Sequence, residues 1–568
     1  NSHAAAHRLL DSLPADKVRQ YEEQLGDVAR AKFRAAQQTT DLEALRKIAD
    51  QYRMTKAGYD ALRFLALWQF DHGEYLNSAA GFQALSEHPL SKKTNSPYSG
   101  DMARWIIALS RAGLTEEAER LAKQHKFEKL TQRLVPKTNA GLERSALENR
   151  PSTKTLWKRP FPLPGPVDKH LHAIRKDLEA RGLLPVPSQT PLVLGNRVIA
   201  RNFEEIVACD RNTGAVQWRK PFESQVVQSA QNEGLMANPG FRRMLTRQLA
   251  TAAFADRNAG TLTSDGSRVF VVLNDHTHDH FLNIPGWNLN QSQVDYWSNW
   301  GFSCCQLMAL DAETGKELWR RPAELPHRDP AQPKFSGRIR DPLPEVFFFG
   351  PPTPLGHSLY VIGQKEREIR LFVLSPETGE TQWSLPLVTT ELPLVKDRAR
   401  RRLAFPVVFH GGLLLCPTGA GALAAVDLSS RSCRWIFRYP RNDIPKLSPG
   451  TFPADSQNTH ASLDRWWTGW RDVGLIVENE TVLLASPESS HLHAVSLKTG
   501  ETQWTLPREE GLFLSRGIGG QVLLIGSQSL RMIASKTGQQ ITSLAIPTPA
   551  GRGWGTSSKT GESYLLPL

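Results

Sequence analysis

Three short stretches carry residue types capable of chemistry. The first is Cys304-Cys305 in "NWGFSCCQLMALDAETG". Adjacent cysteines can oxidise to a strained vicinal disulfide, because consecutive Cα atoms lie only ~3.8 Å apart, closer than ordinary bridges prefer. The alternative is two thiols packed in a strand. The second stretch is "NDHTHDHFLN", where His276, His278 and His280 alternate with Asp275 and Asp279 nearby. On a continuing strand those imidazoles would share one face ~7 Å apart, too far to hold one ion without a bend, so a solvated loop competes with a metal site. The third is "DRWWTGW", with Trp466, Trp467 and Trp470. Clustered indoles stack on sugars, cofactors or partner surfaces, or fill the space between sheets.

The elements that must position these residues repeat. "CDRNTGAVQW", "LDAETGKELW", "LSPETGETQW" and "VSLKTGETQW" share a turn-forming Thr-Gly and a Trp at one spacing, ending at Trp218, Trp319, Trp383 and Trp504. "VDLSSRSCRW" keeps Asp427 and Trp435 but has Arg431 where Gly is expected, and "IASKTGQQIT" keeps Thr537 and Gly538 but has Thr542 in place of Trp. An apolar run, a turn with Gly at positive φ and an alternating run ending in Trp predict a β-hairpin. Further short apolar runs precede each copy, giving about four strands per unit, the content of one propeller blade. Six copies are visible.

These units resemble the tryptophan-docking repeats of the PQQ-like β-propeller superfamily, which includes quinoprotein alcohol dehydrogenases and the non-enzymatic BamB outer-membrane assembly lipoprotein. The resemblance implies a propeller over residues 191–568 with seven to eight blades in the whole protein, interrupted by insertions at 221–255 and 275–303. "PGFRRMLTRQLATAAFADR" in the first insertion is expected to be a helix with Leu245, Leu249 and Phe254 turned inward. The tail "GRGWGTSSKTGESYLLPL" reads like the first strands of another blade, so the propeller is expected to be truncated. Quinoprotein dehydrogenases carry a cysteine pair against the cofactor ring ahead of the early strands of a blade. Here Cys304-Cys305 runs straight into a docking hairpin, a departure from that pattern.

Residues 1–130 lack strand alternation. "LRFLALWQFDHGEYLNSAAGFQALSEHP" and "DMARWIIALSRAGLTEEAERLAKQH" read as helix pairs turning at Gly73 and Gly113, similar to tetratricopeptide units, which stack and offer a groove to a partner or pack on a neighbouring domain. Residues 131–190 are basic and Pro-rich, a stiff connector with a short helix in "DKHLHAIRKDLEARG". The fold class is therefore an α-helical repeat domain followed by an all-β propeller.

The chain has 568 residues, a formal net charge of +12 and five cysteines, too few for a disulfide scaffold. The one dense basic run, "KDRARRRL" at 396–403, lies between blades with no nucleic-acid motif beside it, so no nucleic-acid partner is expected. No apolar run reaches the ~20 residues of a transmembrane helix. "NSHAAAHRLL" shows no Met start and no signal peptide, as a mature or trimmed chain would. Cys416 and Cys433 fall on strands separated by another, which argues against a bridge.

Three functions follow as expectations. The leading one is a non-catalytic scaffold or binding protein of the bacterial periplasm or cell envelope, with protein partners, no cofactor and at most peripheral membrane association. The second is a PQQ- and calcium-dependent alcohol or sugar dehydrogenase with Cys304 and Cys305 beside the quinone. The third is a carbohydrate-binding propeller using its Trp-rich loops.

Overall fold

The computed structural model describes residues 10, 13–91, 99–130, 156–158, 165–180, 184–222, 224–273, 305–322, 346–391, 394, 397–441, 469–478, 480–517 and 519–546. Among them lie six antiparallel sheets, each a meander of four consecutive strands; the third gains a fifth strand, Val346–Phe348, on its second. The sheets span residues 192–221, 262–321, 346–389, 408–438, 474–507 and 511–545, here numbered blades 1 to 6. The first strands of blades 1 and 2, of 2 and 3, and of 5 and 6 touch one another, so the meanders radiate from a common axis as propeller blades do. The expectation of a seventh or eighth blade falls on residues outside the described ones.

At four boundaries, between blades 1 and 2, 2 and 3, 4 and 5, and 5 and 6, one indole fixes a blade to the next. The Trp218 Nε1–H donates to the Ala312 carbonyl at 3.1 Å, Trp319 to Pro376 at 2.8 Å, Trp435 to Leu497 at 2.8 Å and Trp504 to Ser535 at 3.1 Å. Those carbonyls belong to the equivalent hairpin residue of the following blade. The ring itself lies on that hairpin's glycine: a Cβ added at Gly315, Gly379, Gly500 or Gly538 would sit 2.5–2.7 Å from the indole. All four glycines hold φ between 69° and 72°, so both the backbone and the space demand Gly. Asp210 and Asp311 close their turns by accepting the Thr213 and Thr314 amides, both at 2.8 Å, which holds both carboxyls below the usual range.

The worn fourth copy has a structural reason. Arg431 keeps the left-handed backbone at φ 51°, and its guanidinium lies over Trp383 at 5.1 Å from the ring centroid. The same guanidinium pairs with Glu43 at 3.1 Å, on the helix Leu42–Gln51. The departure from Gly therefore falls where the helical domain meets the propeller.

That domain consists of helix pairs. Lys56–Asp71 and Tyr75–Glu87 turn at Gly73, Ser99–Arg111 and Thr115–Gln124 at Gly113, both glycines at positive φ. Ser78 Oγ donates to the Ala66 carbonyl and Gly81 lies on Ala66, so small residues let the first pair approach closely. The second helix of this pair rests on the turns between first and second strands: Leu76 on Gly356, Ala80 and Gln83 on Gly411 and Gly412. Leu76 and Ala80 join the main core of blades 3 and 4. His410 Nδ1 meets Glu117 at 3.1 Å. One face of these helices is thus spent on packing.

Cys416 and Cys433 lie on the second and fourth strands of blade 4 and are not bridged, as their separation by Ala422–Asp427 requires.

Replacing Arg431 by Gly should restore the glycine on which the other docking indoles rest while severing the link to Glu43. The expected outcome is unchanged unfolding of the propeller with several-fold faster proteolysis within residues 13–130, read by mass spectrometry. Glu43→Gln should do the same.

Candidate functional site

The hairpin repeat gives the ring two unlike faces. Connections between first and second strands, and between third and fourth, are tight turns such as Gly195-Asn196 and Gly411-Gly412. Every long connection leaves from the other face: 222–261, 274–305, 322–352, 390–407 and 439–473. In the first of these the helix Pro239–Phe254 starts from an Asn238 cap. Leu245 and Leu249 are buried, with Phe254 at the edge, against Val167, Ile174 and Leu178 of the helix Gly165–Ala180. The helix expected inside the connector therefore packs as a lid on the insertion.

At the centre of this face, Arg257 and Asn258 bind the entry segments of four other blades and approach the first strand of a fifth. The Asn258 amide donates to the Phe348 and Arg401 carbonyls at 2.9 and 3.0 Å, and its Oδ1 accepts the Gly350 amide at 2.8 Å. Those groups lead into blades 3 and 4. Arg257 donates to the Ser188 carbonyl at 3.0 Å and to the Arg471 carbonyl at 3.2 Å, which lead into blades 1 and 5. Its guanidinium lies 6.0 Å from the Phe513 ring centroid in blade 6. Both side chains are buried, and burial lowers the pKa of Arg257. Around them Asp397 pairs with Arg400 at 3.4 Å and Arg441 at 3.0 Å. The basic run at 396–403 is therefore no solvated strip: Arg400 is 1% exposed.

A second polar cluster fills the space between blades 4 and 5 on the same face. Tyr439 Oη and Ser486 Oγ both donate to buried Glu488, each at 2.6 Å. Burial, and then the Glu488 charge, push the Tyr439 phenol well up. Ser489 Oγ and His493 Nε2 are 2.8 Å apart. His493 Nδ1 has no hydrogen-bond partner among the described residues, so none of them orients the ring as the carboxylate of a hydrolytic triad does. Burial, helped by His491, lowers the His493 pKa to about 4, so the ring is neutral at physiological pH.

Of the residues singled out by sequence, Cys305 lies at the start of the third strand of blade 2, buried, with the Phe348 amide 3.2 Å from its Sγ. It thus sits against the entry segment that Asn258 holds. Cys304, His276, His278, His280, Trp466 and Trp467 lie outside the described residues. Of the two readings open for the Trp-rich stretch, Trp470 takes the packing one rather than the ligand surface: it is 2% exposed, wedged among Leu483, Ala485 and Leu492 of blade 5 and Val522, Leu524 and Ile533 of blade 6. Indole area is worth more between two sheets than in water. Among the described residues no group of three or more His, Cys, Asp or Glu side chains forms a metal cluster. No helix there is long and apolar enough to cross a membrane.

Residues that sequence reasoning missed are Arg257, Asn258 and Trp157. The Trp157 Nε1–H donates to the Arg211 carbonyl at 2.8 Å, and an added Cβ on Gly214 would meet its ring at 2.6 Å. The signal was present in "LWKRPF" at 156–161, which parallels "QWRKPF" at 217–222.

Residues 304–446 match the family described as "Outer membrane protein assembly factor BamB". Among solved structures the chain is similar to BamB from Moraxella catarrhalis, at 13% identity and TM-score 0.36 over 64% of this chain and 77% of that one. It is also similar to the quinohemoprotein alcohol dehydrogenase ADHIIG from Pseudomonas putida HK5, at 10% identity and TM-score 0.34, covering 64% of this chain and 61% of that one. A third is the dihydro-heme d1 dehydrogenase NirN, at 12% identity and TM-score 0.34, covering 65% and 59%. The matched part of this chain spans less than two thirds of the length of either dehydrogenase. No curated protein matches. The docked four-stranded meanders make this a β-propeller with an N-terminal helical domain, whose residues 304–446 are similar to the matched family.

A quinone with calcium needs a flat axial slot and oxygen donors around the ion. Among the described residues, those at the centre of the ring do not fit that group. Arg257 and Asn258 fill the axis on the insertion face, the Asn258 amide is committed to three backbone groups, and Asp397 faces two guanidiniums.

Asn258→Ala should remove three buried hydrogen bonds to the main chain, at ~1–3 kcal/mol for each group left unsatisfied. A fall in unfolding free energy of about 3 kcal/mol or more is expected by denaturant titration. His493 titrates near 6.5 in an unfolded chain and about 4 here. The unfolded state therefore binds the extra proton between those values, so stability should fall as pH drops through that window and level off below it. In His493→Phe the unfolding temperature should lose this part of its pH dependence.

Proposed function

We propose that the chain is a non-catalytic scaffold or binding protein of the bacterial cell envelope, whose insertion-bearing face receives a protein partner. The observation that carries this reading is the axial pair Arg257 and Asn258. A propeller that acts on a small molecule at its axis needs an open, chemically equipped centre, whereas the described centre is committed to holding the entry segments of four other blades, with Phe513 of a fifth beside it. What remains for recognition is the set of long connections around it, and loops on a rigid scaffold are where recognition concentrates. The match of residues 304–446 to an assembly-factor family supports the same reading and an envelope location.

The helical domain belongs to this proposal as a tetratricopeptide-like repeat. Its face toward the turns of blades 3 and 4 is occupied by the propeller through Leu76 and Ala80. The opposite face of the helix pairs is the one left for a second partner, as stacked helix pairs usually offer.

Two measurements test the function. Titration with PQQ and Ca²⁺ should give no bound-quinone absorbance and no dye reduction with alcohols or sugars. A photo-crosslinker at Gly234, in the insertion, should capture a defined envelope protein in cells, and one at Gly195, in a tight turn, should not. Quinone binding at micromolar PQQ would replace this reading by the dehydrogenase.

A further inference from the structure

The seam between blades 3 and 4 lacks the contact that holds the four docked seams. Its indole is Trp383, and the residue beside the ring is Arg431 instead of Gly. Leu428 is the counterpart of Ala312, Pro376, Leu497 and Ser535, whose carbonyls take the Nε1–H of the other four indoles. Among the described residues Trp383 gives Leu428 no such bond. The register nevertheless turns Trp383, with Val373 and Tyr360, toward blade 4, where Thr353 Oγ1 of the same row accepts the Val407 amide at 3.2 Å.

One helix spans this seam from outside. An added Cβ on Gly356, in the turn between the first and second strands of blade 3, would lie 3.1 Å from the Leu76 Cβ. One on Gly412, in the equivalent turn of blade 4, would lie 3.9 Å from Ala80. Leu76 and Ala80 stand one helical turn apart on Tyr75–Glu87, so the same face of that helix meets both blades. They are 3% and 2% exposed, in a core that both blades share. Ala112 and Leu114, at the turn of the next helix pair, pack on that core, and Glu117 holds His410 of blade 4. We infer that the helical domain is the clasp of the ring: the helix Tyr75–Glu87 does between blades 3 and 4 what an indole on glycine does at the docked seams. The apolar contact of Leu76 and Ala80 is the clasp proper, with the ion pairs of Glu43 and Glu117 beside it. Docking of the helices and closure of this seam are then one equilibrium. Whatever draws the helices off loosens the seam, and a loosened seam frees the helices. This coupling holds whatever the helical domain or the insertion face binds.

Cys416 can report on the seam. Leu415, Ala425 and Trp435 form the row of blade 4 that faces blade 5, so Cys416, the next residue after Leu415, faces blade 3, and it is 0% exposed. Cys209 in blade 1 and Cys305 in blade 2, 4% and 1% exposed, are controls within the same chain. The test is native-state labelling of the whole chain with a maleimide, read cysteine by cysteine by mass spectrometry. Leu76→Asp should raise the labelling rate of Cys416 about tenfold and the milder Leu76→Ala should raise it less, both leaving Cys209 and Cys305 unchanged. Adding Arg431→Gly to either variant should return Cys416 toward its original rate, because Trp383 regains the glycine that the other indoles rest on. No selective rise at Cys416 in either variant overturns the proposal, whether the three cysteines stay slow together or quicken together. So does a double variant in which Cys416 stays fast.

Discussion

An indole laid on a glycine of the next sheet is the contact on which this molecule depends. It works because two requirements coincide at one residue. The turn needs a backbone at φ near 70°, and the approaching ring leaves less than 3 Å for any Cβ. The Nε1–H then finds a main-chain carbonyl that a tight hairpin cannot satisfy internally. Each contact fixes the distance and the rotation of one sheet against the next, so repeating it generates the ring without long-range pairing of strands.

The same repeat explains why the two faces diverge. Tight turns on one face are forced by the four-stranded meander and the docking geometry, and they make a low relief that the helix Tyr75–Glu87 can lie on. The other face bears no such restriction, because its connections only have to return the chain from the rim to the axis. Insertions accumulate there. Their inner ends converge, and Arg257 with Asn258 gathers them through bonds to backbone carbonyls rather than to particular side chains.

This division also sets what the sequence reveals. The docking hairpins were legible because Gly, Thr and Trp at fixed spacing are side-chain requirements, and the helix carrying Leu245 and Leu249 was legible by its apolar spacing. Trp157 was not found by the same search, since no Thr-Gly precedes it and only the following "KRPF" marks it. The hub was invisible for another reason. Its partners are the carbonyls of Phe348, Arg401, Ser188 and Arg471, and any residue could supply those groups. Trp470 stayed between two readings because an indole in an irregular connection looks the same whether it meets solvent or a neighbouring sheet. The candidate site was thus the least readable part, being assembled from main chain.

The choice of arginine at the hub follows from that assembly. A buried guanidinium loses hydration, and burial lowers the pKa of both Arg257 and Arg471, the latter to about 9. A lysine in the same place would surrender its proton more readily and offer three donors from one point. Arginine spreads five donors over a plane, so Arg257 can meet the carbonyls of Ser188 and Arg471 in two different chain segments while its face lies over Phe513. The Arg471 guanidinium extends the scheme to the Leu184 carbonyl at 2.9 Å. Charge is retained here for its geometry: it ties segments that share no strand, and it does so without prescribing their side chains. Connections anchored in this way can change length and composition beyond the anchor while the ring beneath them stays the same, which is the property a recognition face requires.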